Sequence, residues 1–89
     1  MTGKRIIFSG RVQGVGFRYT AHRMARQYAI TGYVRNLPDG SVEMFAQGPD
    51  HEIDQYLREI RAYFSTWIRD CQIREIAHNP GITDFRITY

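Results

Sequence analysis

The chain has 89 residues, 43% of them apolar, with a net charge of +3 and a single cysteine, Cys71. That length fits one domain, read here as residues 1–89, and one cysteine excludes both an intramolecular disulfide framework and a cysteine-based zinc site. A cytoplasmic, metal-independent protein without a cofactor is expected; no apolar run has the length of a membrane span or the shape of a signal peptide, and the basic balance favours an anionic partner.

From the N-terminus, Ile6 and Phe8 alternate with Arg5, Ile7 and Ser9 over residues 4 to 10, a period of two that predicts a strand. A glycine-rich segment follows. Phe17, Ala21, Met24, Ala25 and Tyr28 then recur at helical spacing, with Arg18, His22, Arg23, Arg26 and Gln27 mostly off the stripe. Thr31–Leu37 reads as a second strand, and Pro38-Asp39-Gly40 supplies a turn. The third strand, Ser41–Gln47, sets Val42, Met44 and Ala46 against Glu43, Phe45 and Gln47. Asp50 is placed as the N-cap of a second helix with an Ile53, Tyr56, Leu57, Ile60, Phe64 stripe, and Asp54 and Arg58 are expected to pair outside it. A strand is expected around residues 70 to 77, although Ile73 and Ile76 fit neither period cleanly. After Asn79-Pro80-Gly81, Phe85, Ile87 and Tyr89 alternate as a closing strand. The order predicts an α+β, ferredoxin-like β-α-β-β-α-β sandwich: a mainly antiparallel sheet, two helices on one face and a short extra strand. That fold hosts many activities and by itself settles none.

Chemistry concentrates in the connection Gly10-Arg11-Val12-Gln13-Gly14-Val15-Gly16-Phe17-Arg18. Its paired glycines let successive N–H groups converge into an anion-binding nest, and the start of the first helix adds unpaired N–H groups and partial positive charge. In the first helical turn the dipole disfavours Arg18 by about 0.3–1 kcal/mol, whereas an anion ~4 Å away at an effective dielectric of ~20 attracts it by about 4 kcal/mol. A bound anion therefore explains its place, and a tight turn with a solvated arginine is the other reading of the loop alone. The glycine pattern matches neither a P-loop nor a dinucleotide fingerprint.

GRVQGVGFR followed by TGYVRNLPDGSVE resembles the two signatures of the acylphosphatase family, closely over residues 5 to 49. The resemblance implies an enzyme that hydrolyses acyl phosphates to carboxylate and inorganic phosphate. It implies that Gln13, Gly14, Val15, Gly16, Phe17 and Arg18 cradle the phosphate, that Arg18 is catalytic, and that Asn36 positions the attacking water. The substrate would be a small acyl phosphate, with inorganic phosphate as product and inhibitor. Neither nucleic acid nor membrane is an expected partner, and a monomer is expected. Tyr33 replaces a tryptophan frequent in the family, and Tyr63-Phe64-Ser65-Thr66-Trp67 stands where many members carry a Gly-Pro break.

Two other classes compete. RNA recognition motifs share the topology, but the Gly14–Tyr19 string leaves a strand and enters a helix, and Ile7, Val12, Glu43 and Phe45 offer few stacking platforms. A noncatalytic anion-binding domain would have no need of Asn36. Among the other polar residues, His22 is one helical turn from Arg18, Arg11 flanks the loop, and Cys71 is expected to be a half-buried structural residue.

Overall fold

The computed structural model describes residues 2–89. Strand β1 (Thr2–Gly10) leads to helix α1 (Phe17–Ala25), the hairpin β2 (Thr31–Asn36) and β3 (Val42–Gly48), helix α2 (Asp50–Tyr63), strand β4 (Ile68–Ile76) and the short β5 (Phe85–Thr88). The strands form one sheet in the order β4-β1-β3-β2-β5. β1 pairs antiparallel with β3 and β4, β2 pairs antiparallel with β3, and β2 with β5 is parallel. This is the ferredoxin-like α+β arrangement expected from the pattern.

The period of two in β1 and β3 turns Ile6, Phe8, Val42, Met44 and Ala46 toward the helices, where they meet Phe17, Ala21, Ile53, Tyr56, Ile60 and Phe64 in one buried cluster. Phe17 lies 4.9 Å from Phe8 and 4.5 Å from Phe64, centroid to centroid. The first residue of α1 is thus clamped between β1 and the end of α2, and burying such a ring is worth about 1.5–3 kcal/mol. That clamp fixes where the glycine loop ends. The buried Tyr56 hydroxyl donates to Ala21 O at 2.7 Å and ties the two helices together.

Several details depart from the sequence pattern. Helix α1 stops at Ala25; the N–H groups of Arg26, Gln27 and Tyr28 reach back three residues to Arg23, Met24 and Ala25, tightening the chain into a turn. Tyr28 lies beyond the helix and packs edge-on against Tyr56. Asp50 is the first residue of α2 and does not cap it; Pro49 holds the cap position, and the Asp50 carboxylate accepts from Thr2 Oγ1 at 3.0 Å. Asp54 pairs with Lys4 at 3.0 Å and not with Arg58, because Lys4 shares the helix-facing row of β1. Strand β4 begins two residues before the expected start at 70 and ends one before 77, with a bulge opposite Ser9 and Gly10.

The other face of the sheet is covered at its centre, so β3 is buried on both sides. Glu43 is 2% exposed and lies between Arg5 and Arg35. The Tyr33 ring packs on Phe45 at 5.8 Å. The connection from β4 to β5 must run from one sheet edge to the other, and Gln47 anchors it: Nε2 donates to Asn79 O at 2.8 Å and Ile82 O at 3.1 Å, while Oε1 accepts from Asn79 N at 2.7 Å. Among the described residues, no helix is long and apolar enough to cross a membrane.

Candidate active site

The β1–α1 loop turns on Gly14 and Gly16, both with φ of +79°. A Cβ at either would meet nothing within 4 Å, so the demand is conformational, a left-handed backbone that costs other residues about 1–2 kcal/mol. Gly16 is the N-cap of α1. Among the described residues no side chain caps this helix, and its first turn holds no acidic residue, so none of them neutralises its leading N–H groups and positive dipole end.

Beside that helix end is a hollow of about 140 Å³ whose wall includes Val12, Gly14, Gly16, Phe17, Arg18, Tyr19, Asn36, Ile87 and Tyr89. It is smaller than the ~300–1,000 Å³ of drug-sized ligand sites and suits a small anion. Of the residues singled out from the sequence, Gly14, Gly16, Phe17, Arg18 and Asn36 meet there. Gln13 and Val15 do not line it. Val15 packs against the core, and the Gln13 side chain turns toward the hairpin, where Nε2 donates to Leu37 O at 2.8 Å and Ser41 O at 2.9 Å.

Asn36 closes β2 opposite Val42, on the same face as the buried Val34. Among the described residues its side-chain amide has no hydrogen-bond partner, which leaves donor and acceptor free beside the hollow. The Asp39 carboxylate, accepting from Ser41 Oγ at 2.5 Å and Ser41 N at 2.9 Å, is held below its usual value by those bonds and fixes the turn that follows Asn36. Arg18 makes a long bond from Nη1 to Thr88 O at 3.4 Å, and its guanidinium carbon lies 4.8 Å from the centre of the Tyr89 ring.

Gln13 as a brace, and Ile87 and Tyr89 as part of the wall, were not foreseen. The wall residues are separated from Arg18 by most of the chain and arrive only through the parallel β2–β5 pairing. The short run Gln13-Gly14, with a long amide side chain at the mouth of a turn, was the available signal for the brace. His22 lies in a separate recess with Phe85 and Tyr28, and Arg11 is exposed with its N–H bonded to Trp67 O. Cys71 is half-buried on β4, and burial pushes its thiol up, away from a reactive thiolate.

The acylphosphatase family model matches residues 4–87. The chain belongs to the acylphosphatase family. An acylphosphatase of Oceanobacillus iheyensis is 39% identical over 87 residues, covering 96% of each chain. One from Chlorobaculum tepidum is 43% identical over 90 aligned positions, covering 98% of each. The crystal structure of acylphosphatase from Bacillus subtilis covers 100% of both chains with a TM-score of 0.88 at 33% identity. This acylphosphatase is thus an enzyme like its relatives. Its departures from the family pattern lie away from the hollow. Tyr33 sits on the opposite sheet face against Phe45. The 63–67 stretch closes α2 by a turn, with the N–H groups of Trp67 and Ile68 both reaching Phe64 O at 2.9 Å.

Proposed function

We propose that residues 1–89 act as one acylphosphatase domain that hydrolyses the carboxyl-phosphate bond of acyl phosphates, a water held by Asn36 attacking a phosphoryl group gripped by Arg18 and the Gln13–Arg18 amides. The observation that supports this most is that an unpartnered amide, a guanidinium and an uncapped helix start border one small hollow. Geometry and charge are the two things phosphoryl transfer asks of a protein.

In this reading the water oxygen attacks phosphorus as the bond from phosphorus to the acyl oxygen breaks, and the electron pair leaves on the carboxylate. The proton of the water ends on inorganic phosphate or solvent. Asn36 is no base, and a good leaving group in a loose transition state needs little deprotonation of the nucleophile. Its amide accepts from the water and donates to a phosphoryl oxygen. The Arg18 fork holds two oxygens at once, and the Tyr89 ring over its face restricts its swing, a contact worth about 0.5–1 kcal/mol at an exposed site. Inorganic phosphate fits the same donors and inhibits as product. The scheme calls for neither metal nor cofactor. An RNA-stacking role finds no support, since Phe45 is buried and Glu43 is engaged by two arginines.

Hydrolysis of benzoyl phosphate in the presence of a chelator, with competitive inhibition by phosphate, tests the reaction. Asn36→Ala should lower kcat by about 10²-fold or more while phosphate inhibition stays within about twofold. Arg18→Lys should weaken turnover and phosphate binding together, each by about tenfold or more, because a point charge does not replace the fork. Unchanged turnover in either variant removes that residue from the mechanism, and no hydrolysis by the native chain rejects the reading.

A further inference from the structure

Helix α2 packs on β3, two strands in from β4, and a groove of about 690 Å³ remains between the helix flank and the helix-side face of β4. The helix and the turn after it supply one wall from Asp54 to Ser65, and β4 supplies the other from Ile68 to Ile73. At 1.5 Å per helical residue and ~3.3 Å per strand residue, both walls give a length of about 16 Å. Spreading 690 Å³ over that length leaves a cross-section of about 43 Å², close to the ~48 Å² that one extended chain fills when its neighbours lie ~4.8 Å and ~10 Å away. The groove is as wide as one chain and as long as about five extended residues.

Its charge is one-sided. At the end away from the α2–β4 turn, Lys4 and Asp54 neutralise each other at 3.0 Å. Nearer the turn stand Arg58, Arg61 and Arg69, and among the described residues none of the three forms an ion pair, not even with Asp70 beside them. Arg58 and Arg61 are three apart on α2, a spacing at which like charges repel. Arg69 is the extra residue of the bulge facing Ser9 and Gly10, a device that re-aims a side chain. Burial raises the Cys71 thiol and the Arg61 charge opposes that rise, so the guanidinium acts across the groove on the strand. The apolar part lies further along β4: Ile73 is opposite Ile6 on the helix side, yet 45% exposed. It sits four residues, or about 13 Å, from Arg69.

We infer that this groove docks an extended acidic segment of another protein, its carboxylates on Arg58, Arg61 and Arg69 and an apolar side chain about four residues away on Ile73. Side chains at every second position of an extended chain share a face, so alternate carboxylates all reach the groove. Three unpaired guanidiniums call for more than one carboxylate, which a single-headed amphiphile does not offer. No residue lines both this groove and the hollow beside α1, so the partner docks without closing the hollow. The contact is small, hence weak, and salt screens it.

Fluorescence anisotropy tests it, with the native chain titrated into the fluorescein-tagged peptide Glu-Ser-Glu-Ser-Leu or its reverse, Leu-Ser-Glu-Ser-Glu. One of the two should bind saturably below about 1 mM and be released as salt rises to about 0.3 M. Glutamine in place of both glutamates should weaken it about tenfold, and serine in place of leucine about threefold. Arg58→Glu and Arg61→Glu should each weaken binding of the parent peptide about tenfold, and Ile73→Ser about threefold. Arg74→Glu, opposite Arg5 on the other face of the same strand, should change it by less than about twofold. Benzoyl phosphate turnover should stay native in all four variants and reports their folding, since none of these residues borders the hollow. Absence of saturable binding in both orientations overturns the inference. So does an Arg74→Glu loss equal to that of Arg61→Glu, or displacement of the peptide by inorganic phosphate, which would put it in the hollow. Decanoate binding that Arg61→Glu abolishes, without peptide binding, would overturn it in favour of a lipid-like ligand.

Discussion

Replacing Gln13 with alanine should disturb Asn36 while leaving every main-chain amide of the loop in place. The lost group is one amide nitrogen that donates to Leu37 O and Ser41 O at 2.8 and 2.9 Å, spanning from the glycine loop to the two carbonyls that follow Asn36 in the hairpin. Each bond contributes about 0.5–1.5 kcal/mol. Both carbonyls keep another donor: Leu37 O accepts from Gly40 N and Ser41 O from Leu37 N. Neither is orphaned, so the stability loss should be about 1–2 kcal/mol, read by urea unfolding. With half of that energy serving to hold the hairpin against the loop, kcat for benzoyl phosphate should fall about two- to fivefold, and phosphate inhibition should change by less than about 1.5-fold. Gln13→Glu should be worse than alanine, because its carboxylate confronts two carbonyl oxygens with no donor between them. A kcat that stays native while stability falls would show that Asn36 does not depend on the brace. Equal losses in kcat and phosphate affinity would show that the side chain shapes the phosphate cradle instead.

The glycines should separate by environment. Gly32→Ala would bring a Cβ to 1.7 Å from Phe45 O at a φ of +153°, and no folded circular-dichroism spectrum is expected. Gly16→Ala, with open space around it, should lose only about 1–2 kcal/mol, because the strain is confined to one left-handed residue. For Glu43, burial alone would raise the carboxyl, but the bonds from Arg35 and Arg5 outweigh burial and hold it below its ordinary value. A depressed native value means stability that is fully present above about pH 4.3 and is lost as pH falls through the depressed value. Glu43→Gln should therefore be less stable than the native chain at neutral pH by about 1.5–3 kcal/mol, with the gap narrowing toward pH ~3 in thermal or urea unfolding. A gap independent of pH would mean the pairs do not stabilise. Tyr56→Phe removes the bond to Ala21 O and should cost about 1 kcal/mol in urea, with kcat unchanged.

The element order was legible because the core imposes its periods on the chain. Ile6 and Phe8 alternate, and Ile53, Tyr56, Leu57 and Ile60 recur at helical spacing, since each row has one buried face. Where burial did not discriminate, the pattern blurred. β4 is exposed along most of its length, so nothing forced a period of two on it, and its start was misplaced. β3 is buried on both faces because β1 and β2 flank it and the β4–β5 connection and flanking side chains cover its outer row. Helix stop signals were weak after Ala25, where Arg26, Gln27 and Tyr28 are all acceptable helix residues and what rewards leaving is the packing of Tyr28 on Tyr56 and the bond from its hydroxyl to the Glu59 carboxylate.

The sequence by itself determined the chemistry available at the loop: glycines free to adopt positive φ, an arginine placed against the helix dipole, and an asparagine at the end of a strand. Those are local properties of residue type and spacing. Only tertiary structure decided that Arg18 and Asn36 border one hollow, that Gln13 braces the hairpin, and that Tyr89 stacks on the guanidinium. The same holds for Lys4 taking Asp54 from Arg58. Such contacts join segments far apart in the chain, and their geometry follows from strand order and packing, which short-range periodicity does not encode.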